Sequence, residues 1–195
     1  MGTTLDITKT QKNPSRIWFA LAVPSASAYL TIGATGIPDA TENPNAKLIG
    51  LTEKGAMLNL QRSFTEEFYD EVKYAVERSL DQIGGSIKCE AAQVLDSDLL
   101  SLATVGMGTA LTPMGKKAWT LGESALAFTS IAAIAPTKAD STKFVVFHLY
   151  QAYNKADFDV GLSRVERSKL PLDFVGTAIP TRVATDMFGC LYITT

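Results

Sequence analysis

The side chains with the most chemistry to offer in this 195-residue chain are His148, Cys89, Cys190 and two stretches of opposite charge. A serine or cysteine nucleophile needs a base beside it, and in most designs that base is histidine. His148 is the only histidine. It alternates with Phe147 and Leu149 and shares a face with Val146 and Tyr150, the setting of a packed or interface histidine in mid-strand. A tetrahedral zinc site needs four ligands, usually Cys and His at short loop spacings. The two cysteines are remote in sequence and neither has a C-x-x-C partner, so no such site is expected. Thiols this few point to a reducing compartment with both reduced. No G-x-S-x-G elbow or G-x-x-x-x-G-K-[ST] loop occurs, and Gly106-Met107-Gly108 lacks the third glycine of a dinucleotide fingerprint. Asp96 and Asp98 could bind a cation, but helix capping explains them without one. The expectation is a chain with no catalytic residues, no metal and no cofactor.

Charge is informative locally. Glu66, Glu67, Asp70, Glu71 and Glu77 are opposed within their stretch only by Lys73. Two such carboxylates can do acid–base work in glycosidases, yet a run this dense at a strand–turn–strand junction fits a solvated face better than a pocket. Arg164, Arg167, Lys169 and Arg182, set against Glu166 and Asp173, make the region 161–182 locally basic. Opposite local signs on a chain of net charge -2 suit self-association through complementary surfaces. The near-neutral balance excludes the broad basic surface of a high-affinity nucleic-acid binder, which works by neutralising phosphates, and of a basic membrane-surface protein.

The elements that must position these residues are mostly strands. Residues 1–15 are polar, carry Pro14, and read as an N-terminal arm. Ile17, Phe19, Leu21 and Val23 alternate along a strand over 16–23 closed by Pro24. Lys9, Lys12 and Arg16 before that run, with Ala26-Ser27-Ala28 after it, imitate a secretory signal, but the apolar run is at the lower limit for one. No apolar run approaches the ~20 residues of a membrane helix, and a soluble, cytoplasmic product is expected. The stretch 31–47, with Gly33, Gly36, Pro38 and Pro44, is a long loop. Ala56, Leu58, Leu60 and Phe64 share one face of a strand; Val72, Tyr74 and Val76 another; Ile87, Cys89 and Ala91 a third. Asp81 to Gly85, with its paired glycines, reads as a hairpin turn. Asp96 caps a short helix over 95–104, with Leu95, Leu99, Leu102 and Ala103 at helical spacing. A second loop covers 105–123, and 125–135 fits either a doubly buried strand or a helix. Strands follow at 144–150, 161–165, 170–179 and 191–193. The class is mainly β: one β-sandwich or partly closed barrel over 16–195 with a short flanking α-helix.

This order of elements resembles the major tail tube proteins of long-tailed bacteriophages. The resemblance rests on the loop leading into Lys47-Leu48-Ile49-Gly50-Leu51-Thr52-Glu53-Lys54-Gly55-Ala56, and on the following strand with its acidic stretch. It continues through Val72 to Val76, Asp81-Gln82-Ile83-Gly84, Ile87 to Ala92 and the helix, to Leu170-Pro171-Leu172-Asp173-Phe174-Val175-Gly176 and a short last strand. It covers most of 45–195 as ordered features and contains no invariant motif. The resemblance implies a virion subunit, made and assembled in the host cytoplasm, that forms stacked rings of usually six. The resulting hollow tube conducts the genome into the host without specific DNA binding. It implies no catalytic residue and no cofactor. Its partners would be further copies of itself and other tail proteins such as terminator, tape measure and distal tail proteins. The arm 1–15, the loop 31–47 and the segment 180–195 would make contacts between subunits. Glu66, Glu67, Asp70 and Glu71 would face the lumen or a ring junction, and the basic group would meet a neighbouring subunit. Rival readings are another ring-forming phage protein (tail terminator, head–tail connector or decoration protein), a small-ligand β-barrel with Trp18 and Trp119 lining a cavity, and a hydrolase built on Glu66 and Asp70.

Overall fold

A computed structural model describes residues 16–25, 28–49, 52–67, 77–91, 108–111, 118–121, 127–137, 140–157 and 169–194. The described strands are β1 (Arg16–Phe19), β2 (Lys47–Leu48), β3 (Thr52–Glu67), β4 (Glu77–Ala91), β5 (Gly108–Leu111), β6 (Ala118–Leu121), β7 (Thr129–Pro136), β8 (Phe144–Asn154), β9 (Leu170–Gly176) and β10 (Gly189–Ile193). A single 3-10 turn, Ala184–Asp186, is the only helical element among the described residues. The chain is therefore mainly β. Eight strands form one antiparallel sheet in the order β2-β1-β7-β8-β9-β4-β3, with β10 paired to β8 beside that path. Its end strands β2 and β3 do not pair, so the sheet is not closed. β5 and β6 form a separate two-stranded pair.

Alternation divides the central strands between two cores. Ile17 and Phe19 of β1, Ile131 and Ala133 of β7, and Phe147 and Leu149 of β8 enter a first cluster. There they meet Ile87, Cys89 and Ala91 of β4 and Leu170, Leu172 and Phe174 of β9. Ala132 and Ile134 of β7 and Phe144 and Val146 of β8 point the other way, into a second cluster with Leu21 and Leu30. Trp18, Ile32, Ala46 and Tyr192 pack against that second cluster. β7 and β8 are thus apolar at nearly every position because both of their faces are covered. The segment 125–135, ambiguous between helix and strand in the sequence, is resolved by this double burial as a strand from Thr129 onward.

Several expectations are corrected. The strand expected over 16–23 stops at Phe19, because Ala20 adopts a left-handed backbone at φ 56°, a conformation that L residues adopt only under constraint. Its amide donates to Thr129 Oγ1. Beyond this kink Leu21 leaves the face of Ile17 and Phe19 for the second cluster. The turn expected at Asp81 to Gly85 lies inside β4, with Gly84 opposite Gln61 and Gly85 opposite Leu60. Gly85 serves packing there: a Cβ on it would come within 2.7 Å of the Phe188 ring, and one on Gly176 of β9 within 2.6 Å. The loop expected over 105–123 contains the β5–β6 pair. The strand begun at Leu170 ends at Gly176, short of Ile179. The helix expected over 95–104, the strands at 72–76 and 161–165 and the arm 1–15 lie outside the described residues.

The seat of Phe188 gives a direct test. Gly176→Val puts a branched side chain where the ring lies and should lower unfolding free energy by ~1–3 kcal/mol, the usual cost of overpacking. Gly84→Ala, where an added Cβ meets nothing within 4 Å, should change the urea midpoint far less. Equal midpoint shifts for the two variants would contradict the packing role.

Candidate functional site

The described residues present two features that could carry function: a buried polar cluster beneath β10 and an apolar edge at β3, the end strand of the described sheet. The cluster is organised by Arg182, whose side chain is only 10% exposed. Its Nε donates to the Asp186 carbonyl at 2.8 Å, Nη1 donates to the Pro24 carbonyl at 2.6 Å, and Nη2 pairs with the Asp186 carboxylate. The guanidinium carbon lies 4.3 Å from the centroid of the Tyr150 ring, an arrangement that suits the planar, weakly hydrated guanidinium and no other cation as well. Tyr150 donates its hydroxyl to Asp186 Oδ1 at 2.7 Å. Burial, with Asp186 beside it, pushes the Tyr150 hydroxyl well above the ordinary tyrosine value. The four-residue spacing from Arg182 to Asp186 is a local signal of this pairing. The partners across the fold, Tyr150 and Pro24, left no such signal.

His148 lies in the same cluster, fully buried on β8 and in register with Cys190 of β10. Nε2 is 2.6 Å from Ser130 Oγ, and Nδ1 has no hydrogen-bond partner. Its ring meets Tyr150 edge to face at 5.1 Å. Burial first, and the positive charge of Arg182 second, lower the imidazole from 6.5 to about 4. A Ser–His pair at this distance could suit nucleophilic chemistry, but such a base is oriented by an acceptor at its other nitrogen and opens to a substrate. Here Nδ1 is bare and both side chains are shut inside the sheet. Both cysteines are free thiols. Burial raises Cys89 to about 12 and raises Cys190 as well, so neither is poised as a thiolate.

The charged candidates scatter. Glu66 and Glu67 end β3, in register with Arg78 and Glu77; Asp70 and Glu71 lie outside the described residues. Of the basic group, Arg164 and Arg167 lie outside them too, and Lys169 is exposed just before β9. Arg182, expected on a contact surface, is instead turned inward and engaged with its own chain. A cavity of roughly 330 Å³ opens among Ala22, Pro24, Tyr29, Leu30, Thr31 and Asn43. Trp18, expected to line such a cavity, packs against the second cluster instead; the side chain of Trp119 lies outside the description. No group of three or more His, Cys, Asp or Glu residues that could hold a metal occurs among the described residues.

The sheet edge is the more unusual surface. β9 covers β4 only from Ser86 to Ala91, while β3 and β4 continue pairing out to Glu67 and Glu77. Beyond Gly85 the two strands run on as a ribbon with no third strand in the described sheet. Met57 is 68% exposed, Leu58 42% and Leu60 54%. Met57 points to one face beside Asn59 and Gln61, and Leu58 and Leu60 point to the other, so each face of this edge strand carries large apolar surface in water. The sequence correctly grouped Leu58 with Leu60, but the cover expected for that face is absent from the described chain. Scanned against models of known families and compared with curated proteins, the chain matches none.

The internal role of Arg182 is testable. Arg182→Met keeps the length of the side chain but removes the cation from the Asp186 carboxylate and the donor from the Pro24 carbonyl, and should lower stability by ~3 kcal/mol, the usual cost of breaking a buried ion pair. Chemical denaturation measures it; a shift below ~0.5 kcal/mol would place Arg182 back at the surface.

Proposed function

We propose that this chain is a structural virion subunit that assembles with copies of itself into stacked rings, forming a phage tail tube through which the genome leaves. The observation that carries this reading is the β3 edge. A two-stranded ribbon is marginal by itself in water, and an edge strand with apolar side chains invites pairing with another chain. Natural monomers blunt such edges with charge, proline or a covering element. Between Ala56 and Gln61 β3 has no charged residue and no proline. A repeating contact with further copies would cover both the ribbon and the exposed Met57, Leu58 and Leu60 that lead into it, and a head-to-tail contact of this kind closes into a ring when its rotation permits.

The ordered features shared with tail tube proteins point the same way and supply the finer parts of the reading: six-fold rings, a sandwich subunit and a DNA conduit. The charge balance is compatible with that role, since a lumen rich in Lys and Arg would gain counterion-release energy at each phosphate and hold the DNA. Glu66, Glu67, Asp70 and Glu71 are the lumen or ring-junction candidates on this reading. Its partners are further copies and neighbouring tail proteins.

Size-exclusion chromatography with negative-stain imaging tests it. Wild-type protein should form rings or stacked polymers. Leu58→Lys/Leu60→Lys should remain folded, with thermal unfolding within a few degrees of wild type because both positions are exposed, yet stay monomeric. Wild-type protein that remains monomeric at all concentrations, or a double variant that still polymerises, would contradict the assignment.

A further inference from the structure

We propose that the C-terminal segment from Thr177 to Ile193 is an acid-released latch: protonation of His148 loosens β10 and the Arg182 loop from β8 while the rest of the sheet stays paired. The proposal is independent of the tube reading and rests on geometry beneath β10. His148 is held from β7 by Ser130, from β8 by the edge of Tyr150, and from β10 by Cys190, its partner in register. The charged groups facing this cluster are Arg182 and Asp186, both from the segment itself, joined to each other and to Tyr150. No carboxylate among the described residues bonds to either imidazole nitrogen, and Nδ1 is bare.

An imidazolium in this position would be a second cation beside Arg182, with one buried N–H that has no acceptor among the described residues. Buried charge without a partner is expensive, and it is relieved by whichever neighbouring element leaves most cheaply. β7 and β8 are locked by both clusters. β10, by contrast, pairs with β8 alone, over five residues, and exposes Leu191 and Ile193. Its attachment depends on Arg182 reaching Pro24, on the Tyr192 hydroxyl donating to the Leu30 carbonyl, and on the Phe188 ring over Gly85 and Gly176. Lifting this segment hydrates His148 and separates it from Arg182 in one motion, and bares the β8 edge from Val145 to Leu149.

The direction follows from linkage. The closed latch holds His148 at about 4 and the open one lets it return toward 6.5, so the open form binds more protons and acid favours it. Between pH 7 and pH 5 the opening constant should rise about twentyfold on those two values. The experiment is amide hydrogen exchange on the full-length wild-type chain, together with proton NMR of His148 Hε1, unambiguous because the chain has one histidine. Protection factors at Cys190 and Tyr192, whose amides face β8, should fall about twentyfold from pH 7 to pH 5, those at Ile87 and Cys89 should hold, and Hε1 should titrate below pH 5. In His148→Gln, which cannot take up the proton, β10 protection should be flat over the same range. A β10 response that survives in His148→Gln overturns the proposal. So does loss of protection in β4 in step with β10, constant β10 protection, or an Hε1 midpoint near 6.5. The last three are read on wild-type protein, so the proposal stands or falls even if the variant does not fold.

Discussion

Burial of β7 and β8 on both faces is the constraint around which the rest of the chain is arranged. A strand covered on both sides cannot alternate polar with apolar, and β8 obeys this from Phe144 to Tyr150 with His148 as its only polar member in that run. The first face is covered by β1, β4 and β9, which meet it across one continuous cluster. Among the described residues, no second sheet contributes to the cluster on the other face. Its cover comes from the irregular segment holding Leu21, Leu30, Ile32 and Ala46, and from Tyr192 near the C-terminal end. Irregular segments can cover a sheet only where their backbone polar groups find partners. The amide of Ala22 donates to the Asn43 side chain and the carbonyls of Pro24 and Leu30 accept from Arg182 and Tyr192. The long loop is therefore part of the core, and the arginine cluster is what fastens the two ends of the chain's irregular cover together.

This explains where reading the sequence succeeds. Period-two alternation located the inward faces of Ile87, Cys89 and Ala91 and of Leu170, Leu172 and Phe174, because those strands have one core face and one outer face. The packed character of His148 was legible from its apolar neighbours. What alternation could not convey is a change of face. The left-handed Ala20 reverses the side on which Leu21 falls, and nothing in its residue type signals that; the residue packs against the first cluster and bonds to Thr129, far along the chain. Gly84 and Gly85 carry the composition of a turn yet sit in mid-strand, where Gly85 makes room for the ring of Phe188, far along the chain. The contacts of Arg182 with Pro24 and Tyr150 are equally long-range. At the candidate site, the sequence attached weight to the acidic end of β3, whose side chains lie outside the description, and did not single out the exposure of the apolar stretch before it.

The result is a chain with two contrasting regions. Its centre is over-determined, with every face of β7 and β8 filled. Its β3 edge is under-covered, with a two-stranded ribbon and three large apolar side chains in water. A fold that fills one region so completely and leaves the other bare is coherent if the bare region is completed by further copies, and the self-assembling reading depends on that completion.

The most direct measurement is amide exchange along β3 in assembled particles against the monomeric double-lysine variant. The account predicts that the backbone amides of β3 between Met57 and Arg62 that point away from β4 exchange fast in the monomer and become strongly protected in the assembled protein, as a neighbouring chain pairs with or covers them. Equal exchange at those amides in both states would show that the edge stays open to water after assembly, and would contradict the claim.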